Sequence, residues 1–112
     1  MLINFKGMEE AALHNFYGGK KDLFAKMFAD KQNRILYGRL DPGASIGTHT
    51  HETSSEIIFV LHGTGKAICD GETEALSAGS CHYCPKGHSH SLVNDGTEDL
   101  VTFAVVPEHE KR

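Results

Sequence analysis

Two histidines one residue apart, with a carboxylate shortly after, can hold a metal ion. The stretch GASIGTHTHETSSEIIFVLHG, from Gly43 to Gly63, carries such a set in His49, His51 and Glu56. In extended backbone successive side chains alternate between faces. His49 and His51 therefore project to one side, and Thr48 and Thr50 to the other. Imidazole nitrogens bind a divalent ion at about 2.0–2.2 Å. Glu56 follows the ETSS connection and shares a strand face with Ile58 and Val60. An ionised carboxylate at the edge of an apolar interior is costly unless it is paired or coordinates a metal. Neutral imidazoles with one carboxylate suit a divalent transition ion and leave coordination positions open. The competing reading is a solvated polar loop, and these three residues alone leave both open.

Such a set needs strands to aim it. After residue 40 glycines punctuate short runs of β-branched and aromatic residues. Segments 55–61, 66–70, 80–84, 90–94 and 100–106 read as strands. Cys69–Glu72, "CDGE", carries the Asp-Gly pair of a tight hairpin, and "NDGTED" at 94–99 is a second turn. "NRILYGRL" is a further strand, closed by the Asp41-Pro42-Gly43 turn. Many short strands with regular turns imply an all-β sandwich or barrel. "IIFVL" and "LVTFAVV" are apolar on both faces, so one face fills the barrel and the other calls for a second sheet or subunit. "MEEAALHNF" suggests a short helix from Met8. "DLFAKMFADK" fits both helical i,i+4 spacing and strand alternation, with helix slightly favoured on the segment alone.

The chain has 112 residues, which suits a single domain over 1–112. A net charge of −4 with no basic run argues against nucleic acid. The longest apolar run, Ile57 to Leu61, is too short to span a bilayer. The start, "MLINFKGMEE", has no secretory leader pattern. Three cysteines cannot all pair, so free thiols in a reducing cytoplasm are the simplest reading. The eight histidines are dispersed, and five of them, His49, His51, His62, His88 and His90, fall at loops or strand ends.

A second stretch, GSCHYCPKGHSHSLVN from Gly79 to Asn94, completes a pattern that resembles the cupin superfamily. Its first motif matches at Gly43, His49, His51, Glu56 and Gly63, and its second at Gly79, Pro85, Gly87, His90 and Asn94. The motifs span 43–63 and 79–94, about half the chain. The resemblance implies a double-stranded β-helix, or jelly-roll barrel, with His49, His51, Glu56 and His90 as ligands of one divalent ion: Mn, Fe, Ni, Co or Zn. It implies that Asn94 braces backbone, and it turns the reading of "KDLFAKMFADK" toward strand. It also implies a homodimer through the N-terminal strands and an outer sheet face.

The remaining polar residues have less to place them. His88, two before His90, is either a second base beside the metal or a solvent-exposed loop residue. Glu52 and the serines after it can donate protons near the ion or simply be solvated. Cys81-x-x-Cys84 lacks the second pair a structural zinc site needs; the two point to opposite faces, and with Cys69 they read as small buried hydrophobes. Either Tyr83 with Cys81 or His82 with Cys84 lines the barrel. His14, His62 and His109 read as unremarkable surface residues.

Three functions compete. The favoured one is a metal-dependent enzyme acting on a small oxygen-rich acid or enol, dioxygenase- or decarboxylase-like. Cupin oxalate enzymes usually carry an arginine three residues before the first histidine. This chain has Ile46 there, with Arg34 or Arg39 as the substitute. The second is a sugar isomerase or epimerase, and the third a non-catalytic ligand-binding or sensor module.

Overall fold

The computed structural model describes residues 1–110. Ten strands follow in order: β1 (Ala11–His14), β2 (Asp22–Ala29), β3 (Asn33–Leu40), β4 (Ser45–Thr50), β5 (Glu56–His62), β6 (Thr64–Cys69), β7 (Glu72–Ser77), β8 (Cys81–Cys84), β9 (Ser89–Val93) and β10 (Leu100–Pro107). They form two antiparallel sheets, β1-β2-β3-β10-β5-β8 and β4-β9-β6-β7. Single 3-10 turns occupy Phe5–Gly7 and Phe16–Gly18.

Alternation decides what faces inward. On β5, Glu56, Ile58 and Val60 are buried while Ile57, Phe59 and Leu61 are exposed. On β10, Leu100, Thr102, Ala104 and Val106 are buried. Leu23, Ala25, Leu36, Leu40, Ala67, Leu76 and Leu92 join Ile58, Val60, Leu100 and Ala104 in one apolar core between the sheets. Burial at about 25 cal/mol per Å² of apolar surface makes this packing the main stabilising term.

The "DLFAKMFADK" segment is strand throughout, with Leu23 and Ala25 inward. The helix expected from Met8 does not form. Ala11–His14 pairs instead with β2, Ala11 opposite Ala25 and His14 opposite Asp22. One short turn of helix is unstable by itself in water, and the edge of a sheet supplies the same backbone with hydrogen-bond partners. The "CDGE" hairpin forms as expected: Asp70 and Gly71 both have positive φ, 50° and 83°, as a type I′ turn requires. It introduces β7, a mostly exposed strand at the edge of the smaller sheet that the apolar patterning does not reveal.

Asn94 is fully buried and braces backbone. Its Nδ2 donates to the carbonyls of Leu40 and Glu98, 2.8 Å each, and its Oδ1 accepts from the Gly96 N–H at 3.0 Å. This ties the β3 end to the loop before β10.

Candidate metal centre

β4 and β9 pair so that His49 lies opposite His90, past a bulge between Ile46 and His49. His51 follows at the end of β4, and Glu56 opens β5 from the facing sheet. The four side chains converge at one end of the barrel. Glu56 Oε1 lies 3.0 Å from His90 Nε2, 3.1 Å from His51 Nε2 and 3.9 Å from His49 Nε2. His90 Nε2 is 2.9 Å from His51 Nε2 and 3.1 Å from His49 Nε2.

The other ring nitrogens fix which atom is available. His49 Nδ1 lies 2.8 Å from the Gly47 carbonyl, which can only accept, so Nδ1 carries the proton and the lone pair is on Nε2. His82 Nδ1 lies 2.7 Å from the Glu74 carboxylate, again an acceptor, so His82 Nε2 is bare. That nitrogen, at 3.0 Å, accepts from His90 Nδ1, which leaves His90 Nε2 bare as well. His51 Nδ1 is held at 2.9 Å by the Ser54 hydroxyl. The His90 lone pair thus meets the Glu56 oxygen at 3.0 Å and the His49 lone pair lies 3.9 Å from it, an arrangement repulsive by itself. Donors about 2.1 Å from an ion and at right angles to each other are about 3.0 Å apart, which matches four of the five separations. The donor set fits a divalent ion, and His49, His51, Glu56 and His90 form a group that could hold one.

Electrostatics agree with that reading. Burial by itself raises the Glu56 carboxyl, but the facing His49, His51 and His90 side chains outweigh it and hold the group well below the ordinary carboxylate range; without an ion that stabilisation takes a proton on a facing Nε2, which a bound cation would replace. Burial lowers His90 and keeps it neutral, with Glu56 opposing the shift. An anionic oxygen beside the neutral His90 imidazole is the protonation state a metal needs.

Other expected residues lie elsewhere. Arg39 is on the outer face, paired with Glu10 and Asp41 and stacked 4.2 Å above the Phe24 ring. Its charge does not reach the centre. Glu52 is exposed in the β4–β5 connection. His88 turns away from the four donors and pairs with Asp70. Cys81 is exposed rather than buried, whereas Cys84 is enclosed, and burial pushes its thiol up to about 12. His82 and Cys84 line the interior, and Tyr83 with Cys81 faces out.

The sequence reading left the facing of His82 and the role of Ser54 open, and it missed Tyr17. His82 is fully buried and links His90 to Glu74, which is half exposed. Ser54 orients His51. Tyr17 stacks on His49, ring centroids 4.0 Å apart and planes at 13°. Arg34 lines the cleft over His49, His51 and Glu56, together with Phe16, Tyr17, Met27, Leu36 and Ile46. It also borders a larger depression of about 280 Å³ around Asp30 and Ser54 that contains none of the four donors.

A two-sheet jelly-roll barrel with three histidines and a glutamate converging at one end defines the class: a small barrel protein with a donor group that could hold an ion. Residues 36–106 match the cupin domain family, and the chain belongs to it. An oxalate-binding protein of Thermotoga maritima is 34% identical over 99 residues, spanning 88% of this chain and 69% of that protein. The crystal structure of a predicted oxalate decarboxylase from Thermotoga maritima matches with a TM-score of 0.90 at 29% identity, over 96% of this chain and 99% of the other. The cupin domain of Schizosaccharomyces pombe Cnp3 shares the fold, with a TM-score of 0.74 at 13% identity over 81% of this chain and 68% of that one.

Proposed function

We propose that this cupin holds one divalent ion on His49, His51, Glu56 and His90 and binds a small oxygen-rich acid at it, an oxalate-like anion. The observation that carries this reading is the convergence of bare imidazole nitrogens on a buried carboxylate at octahedral-edge spacing. Four protein donors leave an octahedral ion two positions, which suits a chelating acid. The ion, Mn, Fe, Ni, Co or Zn, would act there as a Lewis acid on the bound oxygens. The resemblance to an oxalate-binding protein supports the ligand class.

The chain's own residues do the rest. Among the described residues Arg34 is the one cationic side chain lining the cleft, and it shares the inward face of β3 with buried Leu36 and Leu40. It takes the place of the arginine that Ile46 does not supply. Its guanidinium presents a planar fork to a carboxylate. Phe16, Met27, Leu36 and Ile46 make the cleft apolar, which strengthens each charge contact within it. The same lining disfavours a sugar, whose hydroxyls would go unpaired against it.

A non-catalytic binder is favoured over an enzyme by one feature. Apart from His49, His51 and Glu56, the polar side chains that line the cleft among the described residues are Arg34 and Tyr17. Neither His88 nor Glu52 is there to move protons. Dioxygenase- or decarboxylase-like turnover is the second reading, carried by the likeness to the predicted decarboxylase. A homodimer through the apolar outer sheet face and the N-terminal strands belongs to the same proposal. The three cysteines, all free, support a reducing, cytoplasmic setting. No helix among the described residues is long and apolar enough to cross a membrane.

The test is metal analysis of protein purified without chelator, then calorimetry with oxalate. One ion per chain is expected, lost in His49→Ala/His51→Ala. Oxalate should bind the metal-loaded protein and not the stripped one, with weaker binding in Arg34→Gln. Equal metal in wild type and the double variant would sink the site; oxalate binding indifferent to metal would sink the ligand assignment. Release of carbon dioxide from oxalate by the Mn-loaded protein would establish the enzymatic reading over the binding one.

A further inference from the structure

A second group of donors lies outside the first centre. Cys69 ends β6, Asp70 begins the type I′ turn after it, and His88 sits just before β9. Their thiol sulfur, carboxylate oxygen and ring nitrogen all lie within 4.8 Å of one another. The backbone holds them there. The Asp70 N–H donates to the Ser89 carbonyl at 3.0 Å, and the Ser89 N–H returns a bond to Asp70 Oδ1 at 3.1 Å. That leaves Asp70 Oδ2 aimed at His88 Nδ1. The Cys84 thiol donates to the His88 carbonyl at 3.5 Å and pins the loop from the other sheet. The hairpin tip and the β9 approach are therefore cross-tied, so little ordering is left to pay on binding.

We propose that Cys69, Asp70 and His88 form a second cation site, taking a borderline-soft divalent ion such as zinc on one sulfur, one nitrogen and one oxygen. The donor chemistry separates it from the first centre. A thiolate with an imidazole selects zinc or cobalt over magnesium or manganese, whereas the first centre has no sulfur. A three-donor set completed by water is the usual open arrangement of zinc. The side chains of Asp70 and His88 are 50% and 47% exposed, so the ion exchanges with solvent without opening the barrel. Binding displaces the Cys69 thiol proton into solvent as the sulfur–metal bond forms. Cys69 lies opposite His90 in the β6–β9 register. Occupation of the second site therefore stiffens the strand pair that presents a ligand of the first. This assigns a role to the histidine and the thiol that the oxalate-type reading leaves unused, and it does not depend on that reading.

Cobalt(II) tests it, because sulfur-to-cobalt charge transfer in the near ultraviolet arises only from a thiolate ligand. Stripped protein titrated with cobalt should bind two ions per chain and develop that band. Cys69→Ser should abolish the band, and Cys81→Ser should keep it. His88→Asn and Asp70→Asn, both at exposed positions, should each weaken the second ion at least as much as the roughly ten- to hundredfold that loss of a group supporting a ligand costs. His49→Ala/His51→Ala should lose one ion and retain the band, so failure of one site is distinguishable from failure of the other. Absence of the band at saturating cobalt overturns the proposal and leaves Asp70 and His88 as a surface ion pair. A band unchanged in Cys69→Ser overturns it equally.

Discussion

His90 is oriented by a residue outside the proposed donor set. Its Nδ1 proton goes to His82, whose own proton goes to Glu74. Such a chain fixes the tautomer and raises the basicity of the ligand nitrogen, and supporting groups of this kind are worth about ten- to hundredfold in metal affinity. His82→Ala should weaken binding within that range, measured by competition with a chromogenic chelator. Glu74→Gln should cost less, since Glu74 is half exposed and water can replace it. Equal affinities in all three proteins would reduce His82 to a packing residue. Acid should act on the same group. His90 is lowered in the folded state, so between its folded and unfolded values, the latter about 6.5, the unfolded chain binds more protons. Glu56 is depressed below its ordinary 4.5, so its contribution is present above that value and lost as pH falls further. Both signs agree. Stripped protein should melt at progressively lower temperature from about pH 6.5 downward, and His90→Asn should flatten the upper part of that curve in a thermal scan. A wild-type curve level through that range would contradict the assignment.

The elements deliver these side chains with little clearance. The Asn15–Gly19 loop lies flat on β4. A Cβ on Gly47 would meet the Tyr17 carbonyl at 2.0 Å, and one on Gly19 the Ser45 carbonyl at 2.1 Å. Backbone cannot yield there as a side chain would, so Gly47→Ala should cost at least the roughly 1–3 kcal/mol of overpacking and lift Tyr17 off His49. Chemical denaturation reads the first effect and tyrosine fluorescence the second. A stability unchanged within error would show that the loop is not seated this way. The loop also shows where sequence stops being informative. Strand alternation placed His49, His51 and Glu56 on their faces, and the two motifs added His90, because these depend on local period and spacing. Tyr17 has φ 53° and reaches His49 only through the Gly19–Gly47 contact, between segments nearly thirty residues apart. No periodicity encodes that. His82 was hidden for a related reason: whether it or Tyr83 faces inward depends on the register of β8 against β5, where His82 lies opposite Ile58. The helix expected from Met8 failed because pairing with β2 outweighed a weak local preference.

At the scale of the whole molecule the unbalanced feature is the outer face of the larger sheet. Ile57, Phe59 and Leu61 of β5, Tyr37 of β3 and Tyr83 of β8 are each at least 40% exposed. Strand order puts β10 between β3 and β5, and β8 beyond β5, so these side chains form one face rather than scattered points. Phe5, from the first 3-10 turn, covers part of it, its ring 6.2 Å from Tyr37 and 6.3 Å from Phe103. The β5 side stays open. Contiguous apolar surface of this kind marks an interaction site, and a two-fold pairing lets the same patch serve both copies. With a net charge of only −4, repulsion between copies is weak. The chain should therefore sediment as a dimer at micromolar concentration. Phe59→Lys combined with Ile57→Glu should give a monomer whose circular dichroism and metal content match wild type, because both side chains point away from the core and from Glu56. The alternation that separates these faces makes the experiment clean: a wild-type monomer would reject the dimer outright. A dimer unaffected by the double change would move the interface to the β1 edge, where the other half of the proposal places it.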